Sequence, residues 1–181
     1  MTGGEGPPDA RRGAGSAVAG ERERRVAGAL VRQGLRLAVA ESCTGGLLAA
    51  RLTARAGASR YLDAGLVTYS DRAKEQLLGV DPETLAAEGA VSGAVVRQMA
   101  VGARDRTGAR AAVAITGIAG PGGGTPTKPV GTVWIAAALD DEIRVVRRRF
   151  DGDRDAVRHA AVDAALDLLA GLLDTREAPD A

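Results

Sequence analysis

The chain has 181 residues, of which 45% are apolar, and a formal net charge of +1. That length suits one domain, and the near-neutral balance gives no electrostatic ground for binding nucleic acid or an anionic membrane surface. A single cysteine, Cys43, excludes an internal disulfide, and one cysteine with one histidine, His159, argues against a zinc site.

Aromatic residues are scarce. Tyr61, Tyr69, Trp134 and Phe150 are all of them, so the core must be assembled from Ala, Val, Leu and Ile. No apolar span is long enough to cross a membrane and no signal-peptide pattern opens the chain, which leads us to expect a soluble cytoplasmic protein. Lys74 and Lys128 are the only lysines among many arginines. Arginine stays protonated, whereas a desolvated lysine can lose its proton and act as a base. Lys74 is the one to follow, and Lys128 reads as compositional chance.

In chain order, residues 1–20 are rich in Gly, Ala, Pro and Ser without apolar periodicity and read as a disordered leader. Glu21–Gln33 has helical spacing and is closed by Gly34. Leu35–Ala40 reads as a strand, Thr44–Ala56 as a helix, and Tyr61–Ser70 as a second strand. Three helices are predicted next: Asp71–Leu78, Pro82–Glu88 with Pro at its first turn, and Gly93–Thr107 capped by Ser92. Ala111–Thr116 is a strand, and Gly117–Val130 is a long irregular loop. Gly131–Leu139 and Glu142–Phe150 then form an antiparallel hairpin about Asp140-Asp141. Arg154–Leu173 closes the domain as a helix with Val157, Ala161, Ala164, Ala165 and Leu168 on its apolar face. The expected fold is a layered α/β/α domain over residues 21–174, with a mixed β-sheet ending in that hairpin and a frayed tail over 175–181.

Three segments can share one pocket beyond the carboxyl ends of strands, where open α/β sheets place their ligands. The first is Ser42-Cys43-Thr44-Gly45-Gly46. Ser42 at a strand end, ahead of a helix, suits a nucleophile whose oxyanion the amides of the glycine-bearing turn would hold; Ser42 or Thr44 as a plain helix N-cap is the structural alternative. The second is Thr68–Lys74. A serine nucleophile needs a base, and Lys74 with Tyr69 relaying or polarising fits better than His159, which sits among apolar neighbours on the last helix. The third is the loop after Thr116, whose Gly117, Gly120 and Gly122 begin a glycine-dense run. Exposed successive amides form an anion nest, although the pattern is neither a Walker loop nor a dinucleotide fingerprint. Arg154 and Arg158 can add charge for a phosphate. Cys43, with no histidine or second cysteine near it, reads as a packed small residue.

Taken together and in order, AESCTGGLLAARLT, GLVTYSDRAKEQLLGV, GAVS, AITGIAGPGGGTPTKPVGTVWIA and FDGDRDAVRHAA resemble the CinA carboxy-terminal domain family, over roughly residues 24–173. Characterised members include bacterial nicotinamide mononucleotide deamidases, and the likeness is to the stand-alone form. The resemblance implies an amidohydrolase of pyridine nucleotide salvage that converts nicotinamide mononucleotide to nicotinate mononucleotide and ammonia, without metal or redox cofactor. It implies Ser42 as nucleophile, Tyr69 and Lys74 as its activators, and Thr116 in substrate positioning. The turn Thr44-Gly45-Gly46 and the loop of Gly117, Gly120 and Gly122 would surround the substrate, with Arg154 at the phosphate or a neighbouring subunit. It also implies a homodimer or higher homo-oligomer. The alternative class is a non-catalytic nucleotide-binding or competence- and DNA-damage-associated partner module.

Overall fold

A computed structural model describes residues 13–177, with side chains over 20–176. Its elements are α1 (Gly13–Arg32), β1 (Leu37–Glu41), α2 (Leu47–Thr53), β2 (Leu62–Val67), α3 (Asp71–Leu78), α4 (Pro82–Glu88), α5 (Gly93–Thr107), β3 (Ala111–Gly117), β4 (Thr132–Leu139), β5 (Glu142–Arg149) and α6 (Arg154–Glu177), with one 3-10 turn at Ala58–Arg60. The expected leader is helical from Gly13 onward, and α6 carries through to Glu177 where a frayed tail was expected. The remainder of both expectations, residues 1–12 and 178–181, lies outside the described residues.

The strand order is β2-β1-β3-β4-β5. β1 runs parallel to β2 and to β3, while β3–β4 and β4–β5 are antiparallel. The carboxyl ends of β1, β2 and β3 therefore open on the same edge of the sheet. β1 and β3 are covered by helices on both faces, which explains their near-continuous apolar runs. β2 and β5 are the edges. β5 carries Arg144, Arg147, Arg148 and Arg149, and charge of this kind on an edge strand discourages pairing with another chain.

The two faces of the sheet differ in side-chain size. Leu37, Val39, Val113, Ile115, Val133 and Ile135 meet α1, α2 and α6. The opposite face is mostly alanine, namely Ala38, Ala40, Ala112, Ala114, Ala136 and Ala138, and it meets α5 through Val95, Val96, Met99 and Ala103. Small residues on the sheet let α5 lie close against it, so the scarcity of aromatics is compatible with dense packing. α6 is buried more broadly than its sequence suggested: Val162, Leu166 and Leu169 join the core while Ala164 and Leu168 are only partly buried. The reason is that α6 touches both the sheet and α1.

α3 crosses α5 at Gly102, where a methyl group would overlap the Leu78 carbonyl. Alanine in a helix interior normally stabilises over glycine by about 1 kcal/mol. Here the overlap should reverse the sign, and Gly102→Ala should destabilise the domain by about 1–3 kcal/mol. A urea titration that found the variant more stable than the parent would show that α3 and α5 are not in close contact.

Candidate active site

β1 ends in Glu41, a residue that sequence reasoning passed over. Its side chain is fully buried. The carboxylate accepts from the amides of Gly46 (3.0 Å), Leu48 (3.1 Å) and Ala49 (2.9 Å). It thereby caps α2 from inside the sheet, satisfying first-turn donors that have no partner within the helix. The N-cap position itself is Gly46, which has no side-chain cap, so neither Ser42 nor Thr44 plays that part. Capping rules look for a residue adjacent to the first turn. A carboxylate contributed by the preceding strand leaves no such spacing signal, beyond its being an acid at the end of a buried strand.

This arrangement frees Ser42. Its amide donates to Ile115 O (2.9 Å), which keeps the β1–β3 pairing going one residue past the strand. Its side chain lines a cleft of about 280 Å³ together with Cys43, Tyr69, Lys74, Thr116 and Arg154. Lys74 Nζ lies 3.3 Å from Ser42 Oγ. The lysine side chain is 1% exposed, and its amine also donates to the carbonyls of Thr68 (3.0 Å) and Tyr69 (3.4 Å). Ser70 begins α3 by accepting from Ala73 N, and this N-cap sets the turn that swings Lys74 inward. Burial pushes the Lys74 ammonium below its ordinary value, partly opposed by Asp71, 3.9 Å away and largely solvated. A neutral amine has two N–H groups and one lone pair. Nζ donates to two backbone carbonyls and to Ser42 Oγ, and once the amine is neutral the last of these contacts lets Oγ–H donate to its lone pair.

The other expected residues divide. Thr116, Gly117, Gly120, Gly122 and Arg154 line the cleft, and with them Ala90 and Val91 from the α4–α5 connection, which sequence reasoning did not include. Thr44, Gly45 and Gly46 do not line it. Gly45 and Gly46 have φ of 61° and 94°, and the side-chain directions they lack face Arg158 and Val67. Their amides are also taken, Gly45 N by Ser42 O and Gly46 N by Glu41. The glycines therefore turn the chain into α2 and do not supply the oxyanion donors expected of them. Thr44 is fully buried with an unpartnered hydroxyl, and its carbonyl accepts from Arg158 Nε and Nη2 at 3.3 and 2.9 Å.

Tyr69 reaches outward and is 60% exposed. Its phenol oxygen accepts from Arg154 Nη2 (2.9 Å), while Arg154 Nη1 donates to Gly120 O (2.7 Å). Arg154 thus joins the tyrosine to the glycine-rich loop across the mouth of the cleft. Thr116 Oγ1 donates to Ala90 O (2.8 Å), which leaves that oxygen only its lone pairs to offer. The loop itself is tied down: Lys128 Nζ donates to Glu88 O (2.6 Å) at the carboxyl end of α4, and Arg147 Nη2 donates to Thr127 O (3.0 Å). Lys128 therefore has a structural task that composition alone did not reveal, a cation placed at the negative end of a helix. His159 is exposed on α6. Among the described residues no group of three or more His, Cys, Asp or Glu side chains is placed to hold a metal ion, and no helix is long and apolar enough to cross a membrane.

The model of the CinA C-terminal domain matches residues 20–173. This chain belongs to that family. A CinA-like protein of Citrifermentans bemidjiense is 52% identical over 157 residues, covering 87% of this chain and 38% of the relative. A CinA-like protein of Mycolicibacterium gilvum is 57% identical over 137 residues, covering 75% and 32%. The chain therefore spans only about two fifths or less of the length of these curated relatives. Among solved structures, a competence-damaged protein (CinA) superfamily protein from Klebsiella pneumoniae 700603 superposes with a TM-score of 0.84 at 46% identity, over 87% of this chain and 98% of that one. The competence/damage inducible protein CihA of Agrobacterium tumefaciens gives 0.83 at 46% identity, over 85% and 94%. The mixed five-stranded α/β/α sandwich is thus the architecture of the CinA superfamily.

Cys43 lies next to Ser42 in the cleft wall, and burial pushes its thiol up to about 12. The thiolate is the reactive form. At pH 8 the folded protein should react with Ellman's reagent slower than a free thiol by on the order of a thousandfold or more, and at the ordinary rate in denaturant. Fast modification of the folded protein would remove the reason for preferring the serine.

Proposed function

We propose that this CinA-family domain hydrolyses the carboxamide of nicotinamide mononucleotide to nicotinate mononucleotide and ammonia, in pyridine nucleotide salvage in the cytoplasm. The observation that carries the reading is the fully desolvated amine of Lys74 held 3.3 Å from Ser42 Oγ in the wall of an open cleft. A buried lysine is costly to keep unless its altered proton affinity is used, and a serine–lysine pair is one of the recurring arrangements for acyl transfer.

In this reading Ser42 Oγ attacks the carboxamide carbon as its proton passes to Lys74 Nζ. The tetrahedral intermediate collapses when the new ammonium returns that proton to the departing nitrogen, releasing ammonia and leaving an ester on Ser42. Water then attacks the ester as Lys74 takes its proton, and the second tetrahedral intermediate collapses as Lys74 returns that proton to Ser42 Oγ, releasing the acid and regenerating the hydroxyl and the neutral amine. Thr116 has committed its own proton to Ala90 O, so its oxygen is suited to accept from the amide NH2 and has no proton to offer a carboxylate product. Tyr69 and Arg154, linked at the cleft mouth, are placed to meet the ring and the phosphoribosyl end, with Tyr69 acting on the substrate more directly than on Ser42. A homodimer or higher homo-oligomer belongs to the same reading, and Val67, Tyr69 and Leu77, the large apolar side chains most exposed among the described residues, provide apolar surface for it, Tyr69 at the cleft itself. The alternative of a nucleotide-binding partner module would explain the cleft but not a desolvated lysine beside a serine.

Incubation with nicotinamide mononucleotide should release ammonia, and Ser42→Ala or Lys74→Met should each lower kcat by about 1,000-fold or more with the fold retained. Ammonia release that survives Ser42→Ala would rule out the serine route, and tight nucleotide binding without turnover in the parent would favour the module.

Activity in this scheme requires neutral Lys74, so kcat/KM should rise with pH through the lysine's lowered pKa and level off above it. Asp71 favours the ammonium. Asp71→Asn should therefore move the acidic limb to lower pH. A shift in the opposite direction, or an unchanged limb in Lys74→Met, would show that another group controls it.

A further inference from the structure

The backbone around Ser42 has an uneven distribution of free donors. The Ser42 amide is held by Ile115 O, Gly45 N by Ser42 O, Leu47 N by Thr44 O and Ala50 N by Gly46 O. Gly46, Leu48 and Ala49 all donate to Glu41. Among the described residues, the Thr44 amide has no acceptor in this turn and the Cys43 amide has only its own side-chain sulfur; of the two residues only Cys43 lines the cleft. It directly follows the nucleophile, and the amide after a nucleophilic serine at a strand-to-helix turn is a recurring oxyanion donor.

We propose that Glu41 is a positioning residue that occupies the first-turn amides of α2 and thereby reserves the amide of Cys43, which lines the cleft directly after Ser42, as the oxyanion donor. The proposal rests on reading Ser42 as the nucleophile. Without the carboxylate, the N–H groups of Gly46, Leu48 and Ala49 would be left unpaired and free to compete for the developing negative charge. With it, those donors are already satisfied. Glu41 also fixes the distance between the strand that carries Ser42 and the helix that follows, because its side chain leaves β1 and is bound by residues on α2 and its cap. From the other side, Arg158 of α6 holds the Thr44 carbonyl, so the peptides between the two clamps have little freedom to rotate.

The test uses the whole chain and a serine-directed probe, 3-pyridylboronic acid, whose tetrahedral boronate carries the oxyanion. In the 15N-labelled wild type, adduct formation should shift the Cys43 amide proton downfield and leave Gly46, Leu48 and Ala49 in place. Glu41→Gln keeps the shape but turns one oxygen into a donor facing donors. It should weaken the boronate adduct and lower kcat by a common factor of about 10–100, with KM and the affinity for nicotinate mononucleotide unchanged within about twofold. A merely structural cap would lower Tm while leaving adduct and product affinities in their original ratio. If the probe forms no adduct with the wild type up to its solubility limit, the serine reading itself falls. An adduct that forms equally well in Glu41→Gln, or that moves Gly46 and Leu48 instead, overturns this inference alone. Should Glu41→Gln fail to fold, the wild-type shifts decide the matter by themselves.

Discussion

A lysine amine taken out of water must be given acceptors for every proton it keeps. At Lys74 those acceptors are backbone carbonyls of Thr68 and Tyr69, at the point where β2 hands over to α3. The β2–α3 corner therefore has to take one particular shape, and that shape is possible only because β2 lies parallel to β1, which brings Ser42 to the same edge of the sheet. Thr68 N, donating to Glu41 O at 2.8 Å, extends the pairing one residue beyond β2 and holds the corner against the end of β1. Removing that register would separate the amine from the hydroxyl and leave a buried lysine without its partners.

Two buried ionisable side chains, Glu41 and Lys74, thus stand on either side of Ser42, and each is satisfied by the backbone. This differs from a buried ion pair, where mutual attraction must offset two desolvations. Backbone groups are fixed by the fold, so neither side chain has to wait for another flexible side chain to settle. The result is a rigid junction behind the serine. The front of the cleft is built in the opposite way. Arg154, Tyr69 and the glycine-rich loop are joined by side-chain contacts at the surface, which can exchange partners when a ligand arrives.

The small-residue face of the sheet serves the same end. Ala40 and Ala114 on β1 and β3 let α5 and its connection from α4 lie close, so the Ala90 carbonyl comes within reach of Thr116 Oγ1. Lys128 then closes the glycine-rich loop onto the end of α4. The far wall of the cleft is therefore held by helix packing on one side of the sheet, while Arg154 reaches it from α6 on the other.

Local sequence was sufficient for much of this molecule. α3, α4 and α5 run over the very residues their caps indicated, because Ser70, Asp81 and Ser92 act on the first turn immediately after them. The hairpin β4–β5 was legible from alternation about a tight turn, and Ser42, Lys74 and Thr116 were legible as polar residues at strand ends or one helical turn past them. Long-range placement was not. That Arg158 grips Thr44 and that Tyr69 turns to Arg154 depend on atoms far apart along the chain, while the capping of α2 by Glu41 and the occupation of the glycine amides depend on the three-dimensional path of a short strand-to-helix turn that spacing rules do not give. Spacing reports what a residue can touch within a turn or two; which donors remain free beside a nucleophile is settled only when every strand and helix has claimed its own.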